Sequence, residues 1–310
     1  ASCHVPEKGF ADGLAKSVTF DQEGTLQRNA PTVVNSIYAD RYFYDLKALD
    51  LSNQTDHVVF HADEFNSSYN EIMDKLRESE EYVELFKAAF PSTVHGPINK
   101  YNITTAITAY TKTLSGFDSP FDQYARGETD QIDPAVVRGF NLFMGKAACG
   151  TCHFAPTFSG LVPPVFHESE SEVLGVAIDH DTLNPVLDPD MGRFVNGNLK
   201  EKADHFQNSF KTVSVRNVAL TAPYMHNGAY ETLEEVVEFY NVGGGAGMGL
   251  DLPYQTLAPD HLNLTSSEQK DIIAFMEALT DTTGLTTRPT RLPEFPGKPE
   301  WNARKIGGEY

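Results

Sequence analysis

Apolar residues recur at helical spacing in five stretches of this chain. Ile72, Leu76, Val83, Leu85, Phe86 and Phe90 recur through a charged background. They predict one helix from about Tyr69 to Ala89, with Pro91 marking its end. Ile103, Ile107, Tyr110 and Leu114 form the stripe of a second helix, from about Asn102 to Leu114. Asp133-Pro134 caps and opens a third, which runs through Phe143. Thr232 to Tyr240 reads as a short amphipathic helix that stops before Gly243-Gly244-Gly245. The last begins at Thr265, where Thr265 and Glu268 predict a capping box, and buries Ile272, Ile273, Met276 and Leu279.

The intervening segments lack such periodicity. Ala1 to about Tyr44 is loop-rich, and Ser119-Pro120 to Thr129 reads as a connection. Phe154 to about Lys211 is rich in Pro, Gly and Asp. A long irregular stretch of this kind is usually functional or wrapped round a cofactor. From Arg288 to Tyr310 four prolines predict an extended tail. Strand signals are few, and no internal repeat is visible beyond two short cysteine-histidine boxes. The pattern predicts a mainly α chain.

Composition narrows the reading. The 310 residues, 40% hydrophobic and 22% charged, suit one large or two medium domains with a real core. No apolar run approaches the ~20 residues of a membrane span. A net charge of -19 argues against a nucleic-acid partner and suits a basic soluble one.

The chemistry centres on Cys149-Gly150-Thr151-Cys152-His153, a C-x-x-C-H box for covalent c-type haem attachment. Two thiols add to the two vinyl groups of one porphyrin, and the adjacent imidazole is placed to bind the iron. A zinc site would need two further ligands, and the chain has no second C-x-x-C pair. A thioredoxin-like redox pair would not require the histidine. Ala1-Ser2-Cys3-His4 reads as the end of a second box, whose first cysteine would precede Ala1. The natural start, with any signal peptide, is then expected upstream, and the chain as given need not retain its first haem. The expected architecture is mainly α, with two cytochrome c-like domains, each wrapping one haem, and long irregular loops. Because bacterial cytochromes c are assembled outside the cytoplasmic membrane, the expected location is periplasmic or exported.

With these boxes stand the segments ASCHVPEKGFADG, RNAPTVVNSIY, YVELFKAAF, AITAYTKTLSGFDSPFDQY, GFNLFMGKAACGTCH and SFKTVSVRNVALTAPYMHNGAYETLEEVVEFYNVGG. In order and spacing the chain resembles the bacterial di-haem cytochrome c peroxidase superfamily, which includes the MauG-type enzymes. The resemblance extends to about residue 283. It implies a peroxidatic haem in an N-terminal domain (1–125), an electron-transfer haem in a C-terminal domain (126–285) and a tail (286–310). Cys3 and His4 would hold the first haem, and Cys149, Cys152 and His153 the second. Asn29 and the carbonyls of Thr221 and Pro223 would bind a calcium ion, a hard cation that takes oxygen ligands. Glu64, twelve residues before Leu76, would be the acid–base group for hydrogen peroxide.

Three departures from the family pattern matter. Tyr44 stands where the family usually has a tryptophan between the haems, and the only tryptophan, Trp301, lies in the tail. Asp21 replaces a histidine that closes the resting first haem in classical members; His57 and His61 do not match that position. Tyr240, fourteen residues after His226, replaces a methionine ligand of the second haem, as in MauG-type enzymes. A phenolate there favours ferric iron. As a plain core residue Tyr240 would leave Met225 or Met248 to ligate. The resemblance implies a di-haem peroxidase fed by a small redox protein of cytochrome c or cupredoxin type. Its alternatives are MauG-type oxidation of a partner protein and a di-haem electron carrier without peroxide chemistry. It leaves room for a homodimer.

Overall fold

The computed structural model describes residues 3–91, 94–198 and 203–304. The first two residues of the N-terminal box and the end of the tail lie outside them. The chain is mainly helical. Its helices are α1 (Leu51–Phe60), α2 (Tyr69–Arg77), α3 (Glu80–Ala89), α4 (Lys100–Thr113), α5 (Pro120–Ala125), α6 (Pro134–Met144), α7 (Leu233–Asn241), α8 (Gly244–Gly247), α9 (Ser266–Glu277) and α10 (Pro299–Asn302). Two short strands, β1 (Ser171–Val173) and β2 (Ser209–Lys211), pair antiparallel with Glu172 opposite Phe210. No helix among the described residues is long and apolar enough to cross a membrane.

Caps set most helix boundaries. Ser68, Thr232 and Thr265 each form a full capping box with a glutamate, and Asp133 accepts from the Ala135 amide. The single helix expected over Tyr69–Ala89 is in fact two. Ser79 interrupts it and caps α3 by accepting from the Tyr82 amide. The periodicity hid this break because Ile72, Leu76, Val83 and Phe86 on both sides pack on one cluster with Val59, Tyr69, Ile98 and Ile103. The expected connection at Ser119–Thr129 contains α5, itself closed by a Ser119–Asp122 capping box. The tail is not simply extended. It carries α10, buries Phe295 and is held to α3 by Ser79 Oγ donating to the Glu294 carbonyl at 2.6 Å. Leu51–Phe60 also turns out helical; its mixed polar pattern gave no stripe to find.

The largest core gathers on α6 and α9. Phe143, Phe158 and Phe121 surround the fully buried Phe275 at 4.9–5.4 Å between ring centroids. Gly139 marks the helix crossing, where a Cβ would meet the Asp271 carbonyl oxygen at 1.8 Å. Arg138 and Asp271 clamp the same crossing with two hydrogen bonds of 2.7 and 2.8 Å.

Contrary to the sequence reading, the two halves repeat one another well beyond the boxes. Asn35 and Asn217 are both left-handed, at φ 61° and 57°, and each opens a one-turn 3-10 helix. Their amides donate to the carbonyls of Leu114 and Leu279, which follow α4 and α9. Their side-chain oxygens accept from the amides of Gly116 and Asp281. Tyr42 and Tyr224 each donate their hydroxyl to the carbonyl six residues back, at 3.1 and 3.2 Å. Each then opens a bridged turn, Tyr42 with Ala48 and Tyr224 with Tyr230, leading into α1 or α7. The repeat stayed hidden because Phe43 and Leu46 adopt positive φ without being glycine. In this register α4 matches α9, yet Tyr110 is 59% exposed where its counterpart Phe275 is fully buried.

The halves meet through named contacts. Arg28 reaches Asp45 in its own half and Asp190 in the other, at 2.6 Å each. The Asn29 amide donates to the His226 carbonyl, and that of Lys211 to the Tyr44 carbonyl, both at 2.7 Å. Gly228, at φ +68°, brings the second half so close that a Cβ would lie 2.3 Å from the Ala15 Cα.

Candidate functional site

The repeat also fixes both box histidines. His4 Nδ1 lies 2.9 Å from the Phe10 carbonyl oxygen, and His153 Nδ1 lies 3.3 Å from that of Phe158. Phe10 and Phe158 are both left-handed, at φ 61° and 47°, and turn those carbonyls inward. With Nδ1–H donating, each ring keeps Nε2 as its lone-pair donor, the tautomer a metal-binding histidine needs. Burial lowers the pKa of both imidazoles, which favours that neutral form.

Cys149 and Cys152 lie in a single 3-10 turn after α6, and no cysteine forms a disulfide. Burial pushes the Cys149 thiol up to about 12. Joined to a porphyrin the sulfurs become uncharged thioethers, so this apolar setting fits a c-type haem. Phe143 flanks the His153 ring at 6.1 Å, and Cys149 packs against the α6–α9 core. The second box therefore fits its group. Of the first, Cys3 and His4 are within the described residues.

Tyr240 packs against the buried cluster of Val176, Ala229, Tyr230 and Phe239. Burial raises its pKa first, and Cys149 and Cys152 add to the rise. Met225 and Met248 belong to the same cluster, with Val176, Tyr230 and Phe239. The structure thus brings all three candidate ligands together.

Glu64 lies in the turn after α1. Its amide donates to the His61 carbonyl, and the next amide, of Phe65, reaches back to the Val58 carbonyl at 3.3 Å. The carboxylate is 23% exposed and 3.9 Å from His61 Nδ1. Burial raises its pKa, partly offset by His61 and Lys47. Asp21 is different. It is exposed at a turn, where it accepts from Thr19 Oγ1 at 2.6 Å and from the Glu23 amide at 3.0 Å.

Tyr44 and Asn29 lie between the halves. The Tyr44 hydroxyl donates to Asn29 Oδ1 at 3.4 Å, and Asn29 Nδ2 reaches the carbonyls of Leu14 at 2.7 Å and Pro223 at 3.4 Å. Burial raises the Tyr44 pKa. Asn29 and Pro223 are thus adjacent, and turning the amide over would aim Oδ1 at the Pro223 carbonyl. Thr221 packs against the first half at Gly9, its methyl 3.1 Å from where Gly9 would carry a Cβ. Asn29 Oδ1 and the Pro223 carbonyl are oxygens of the kind a hard cation takes. Among the described residues no group of three or more His, Cys, Asp or Glu side chains could hold a metal ion.

Two features escaped the sequence. Phe210 stacks on buried His226 at 3.7 Å, with the Arg28 guanidinium 5.7 Å from the Phe210 centroid. The repeat also pairs Tyr240 with Val58, each the eighth residue of its helix. The shared asparagine-to-tyrosine spacing before each helix was the available signal.

Comparison with known proteins agrees with this geometry. Residues 1–130 match the family model of di-haem cytochrome c peroxidase. The cytochrome-c peroxidase IdrP2 of Pseudomonas sp. (strain SCT) is 30% identical, over 99% of this chain and 80% of its own length. The methylamine utilization protein MauG of Methylorubrum extorquens is 29% identical, over 93% of this chain and 74% of its own. A solved MauG-like protein associated with microbial copper homeostasis superposes with a TM-score of 0.76 at 30% identity, covering 93% of this chain and 85% of that one. Fold, histidine boxes and relatives agree, and the chain belongs to the di-haem cytochrome c peroxidase family.

Proposed function

We propose that this oxidoreductase reduces hydrogen peroxide in its N-terminal half with electrons received through its C-terminal half. The observation that carries the reading is the pairing of Val58 with Tyr240. In the second half the eighth helical residue is a buried phenol, packed in one cluster with Met225 and Met248. In the first half the same place holds an aliphatic side chain that cannot bind iron. Tyr240 would then be a ligand of the second haem, whereas its counterpart Val58 would offer none to the first.

The haem supplies the iron at which peroxide is bound and reduced. The residues supply the rest. His4, held through Nδ1, offers Nε2 from one side. Val58, in the place of Tyr240, would supply no ligand of its own. Glu64, in the loop tied back to Val58, takes the peroxide proton and returns it to the departing oxygen. Burial raises its pKa, which moves the group towards one that can both take and return a proton. Asp21, engaged in its own turn, does not reach over to close the site. The proposed domains are residues 1–125 and 126–285, with calcium at Asn29, Thr221 and Pro223 holding them in register. A periplasmic or exported location follows from covalent haem attachment.

The test is stopped-flow mixing of the fully ferric, haem-loaded protein with peroxide. Reaction is expected without prior reduction. A ferric enzyme that stays inert until one electron is added would mean that another group closes the first site.

MauG-type oxidation of residues on a partner protein is the second reading, and Tyr240 favours it. Ligation by Tyr240 predicts that Tyr240→Phe changes the low-spin spectrum of the second haem and raises its reduction potential. Spectroelectrochemistry checks this. An unchanged spectrum and potential would move the ligand to Met225 or Met248.

A further inference from the structure

Each box histidine leans on a left-handed phenylalanine, and each of these packs with a side chain that arrives from the opposite half. Phe158, whose carbonyl faces His153 Nδ1, meets Phe121 at 6.3 Å between ring centroids. Phe121 stands seven residues after Leu114, on the segment that leaves α4. Its amide donates to the Ala278 carbonyl of the second half at 3.1 Å. Phe10, whose carbonyl faces His4 Nδ1, shares a buried cluster with Val34, Leu114 and Leu285. Leu285 stands six residues after Leu279, on the segment that leaves α9. The two exits thus exchange braces.

The first half depends more on its brace. Phe158 also rests on Phe143 and Phe275 of the large core. Tyr110, in the place of Phe275, is exposed, and Phe10 sits in a smaller cluster in which Leu285 is 7% exposed. Arg288, three residues further on, pairs with Glu7 in the turn between His4 and Phe10. The exit from α9 is itself fixed, because Asp281 accepts from the amides of Asp118 and Thr283 at 2.9 Å each. A non-glycine residue at φ 61° persists only where its surroundings over-determine it. What packs with the Phe10 ring therefore decides where its carbonyl points.

We propose that Leu285 is a positioning residue for the first haem. From the second half it steadies Phe10, and through the Phe10 carbonyl it fixes the hydrogen bond that orients His4. A firm bond from Nδ1–H makes Nε2 a more basic ligand, and a more basic imidazole favours ferric iron. The proposal rests on His4 as a ligand of the first haem, and not on peroxide chemistry.

The test uses spectroelectrochemistry of both haems in the haem-loaded protein. Leu285→Ala leaves a void into which Phe10 relaxes, loosening the bond from His4. The reduction potential of the first haem is expected to rise. Its ferrous-to-ferric ratio at a fixed potential should grow about fivefold, the worth of one weakened hydrogen bond. The ratio at the second haem should change less than about twofold, well below that worth. The His4 Nδ1 proton, followed by NMR, should exchange faster with solvent. Leu285→Met, which keeps the volume, should restore the wild-type potential. Leu285→Val, a smaller truncation, should give a smaller shift of the same sign and serves if the alanine variant does not fold. Phe121→Leu should act on the second haem instead. Phe295→Leu, at the tail contact with Tyr82 and Trp301, should loosen the tail without moving either potential. An unmoved first haem in the Leu285 truncations, equal shifts at both haems, or the same shift from Phe295→Leu would overturn the brace. Peroxide inertness with the first-haem shift intact would sink the peroxidase reading and leave the brace standing.

Discussion

Glu64→Gln is expected to keep the fold and both haems while slowing the reaction with hydrogen peroxide by about 10²–10⁴-fold, the usual worth of a positioned acid–base group. The substitution keeps shape and removes only the proton exchange. Little structural loss is expected, because the backbone of the turn, not the carboxylate, ties it to Val58 and His61. The pH dependence has a fixed sign. Burial raises the Glu64 pKa, and the carboxylate is the form that accepts the peroxide proton. The rate should therefore fall as pH drops through that raised pKa, and this limb should vanish in the Gln variant. Stopped-flow rates across pH measure both. Wild-type rates in Glu64→Gln would remove the residue from the mechanism.

Arg216→Leu is expected to destabilise the protein by about 3–5 kcal/mol, read as a lowered denaturant midpoint. The Arg216 guanidinium is 3% exposed and makes two bonds of 2.8 Å to Asp122, plus one from Nε to the Pro156 carbonyl. It also lies 4.4 Å from the Phe117 ring centroid. Removing it strands the Asp122 carboxylate in a largely dry site, with only Ser119 to satisfy it. Burial alone would raise the Asp122 pKa, but Arg216 and Ser119 hold it below the usual carboxylate value. A lowered folded-state pKa stabilises at neutral pH, and that contribution fades as pH falls through it. The gap between wild type and variant should therefore narrow in acid. Arg138→Leu is the contrast. Its pair with Asp271 looks equally good in distance, but the arginine is 58% exposed, and a loss of no more than about 1 kcal/mol is expected. Equal losses in the two variants would refute the burial argument.

What the sequence determined was whatever depends on neighbours along the chain. Cys149, Cys152 and His153 reveal a haem box because the thiols and the imidazole must lie a fixed few residues apart. Thr265 with Glu268, and Asp133 with Pro134, locate helix starts because caps are satisfied within one turn. Ser79 carried the same kind of signal before Glu80 and Glu81, but a continuous apolar stripe outweighed it. Tertiary structure decided what depends on residues far apart in sequence meeting in space. The repeat is carried by hydrogen bonds such as Asn35 to Leu114 and Asn217 to Leu279, and by positive φ at Phe43 and Met225, which different side chains satisfy. No periodicity records that Val58 and Tyr240 occupy the same place in two copies of one turn and helix. Nor does the sequence show that Tyr230, Phe239 and Tyr240 meet ring to ring. Local spacing specifies which groups can bind a haem. Long-range packing determines which side chains, Val58 or Tyr240, are brought to the same place in each half.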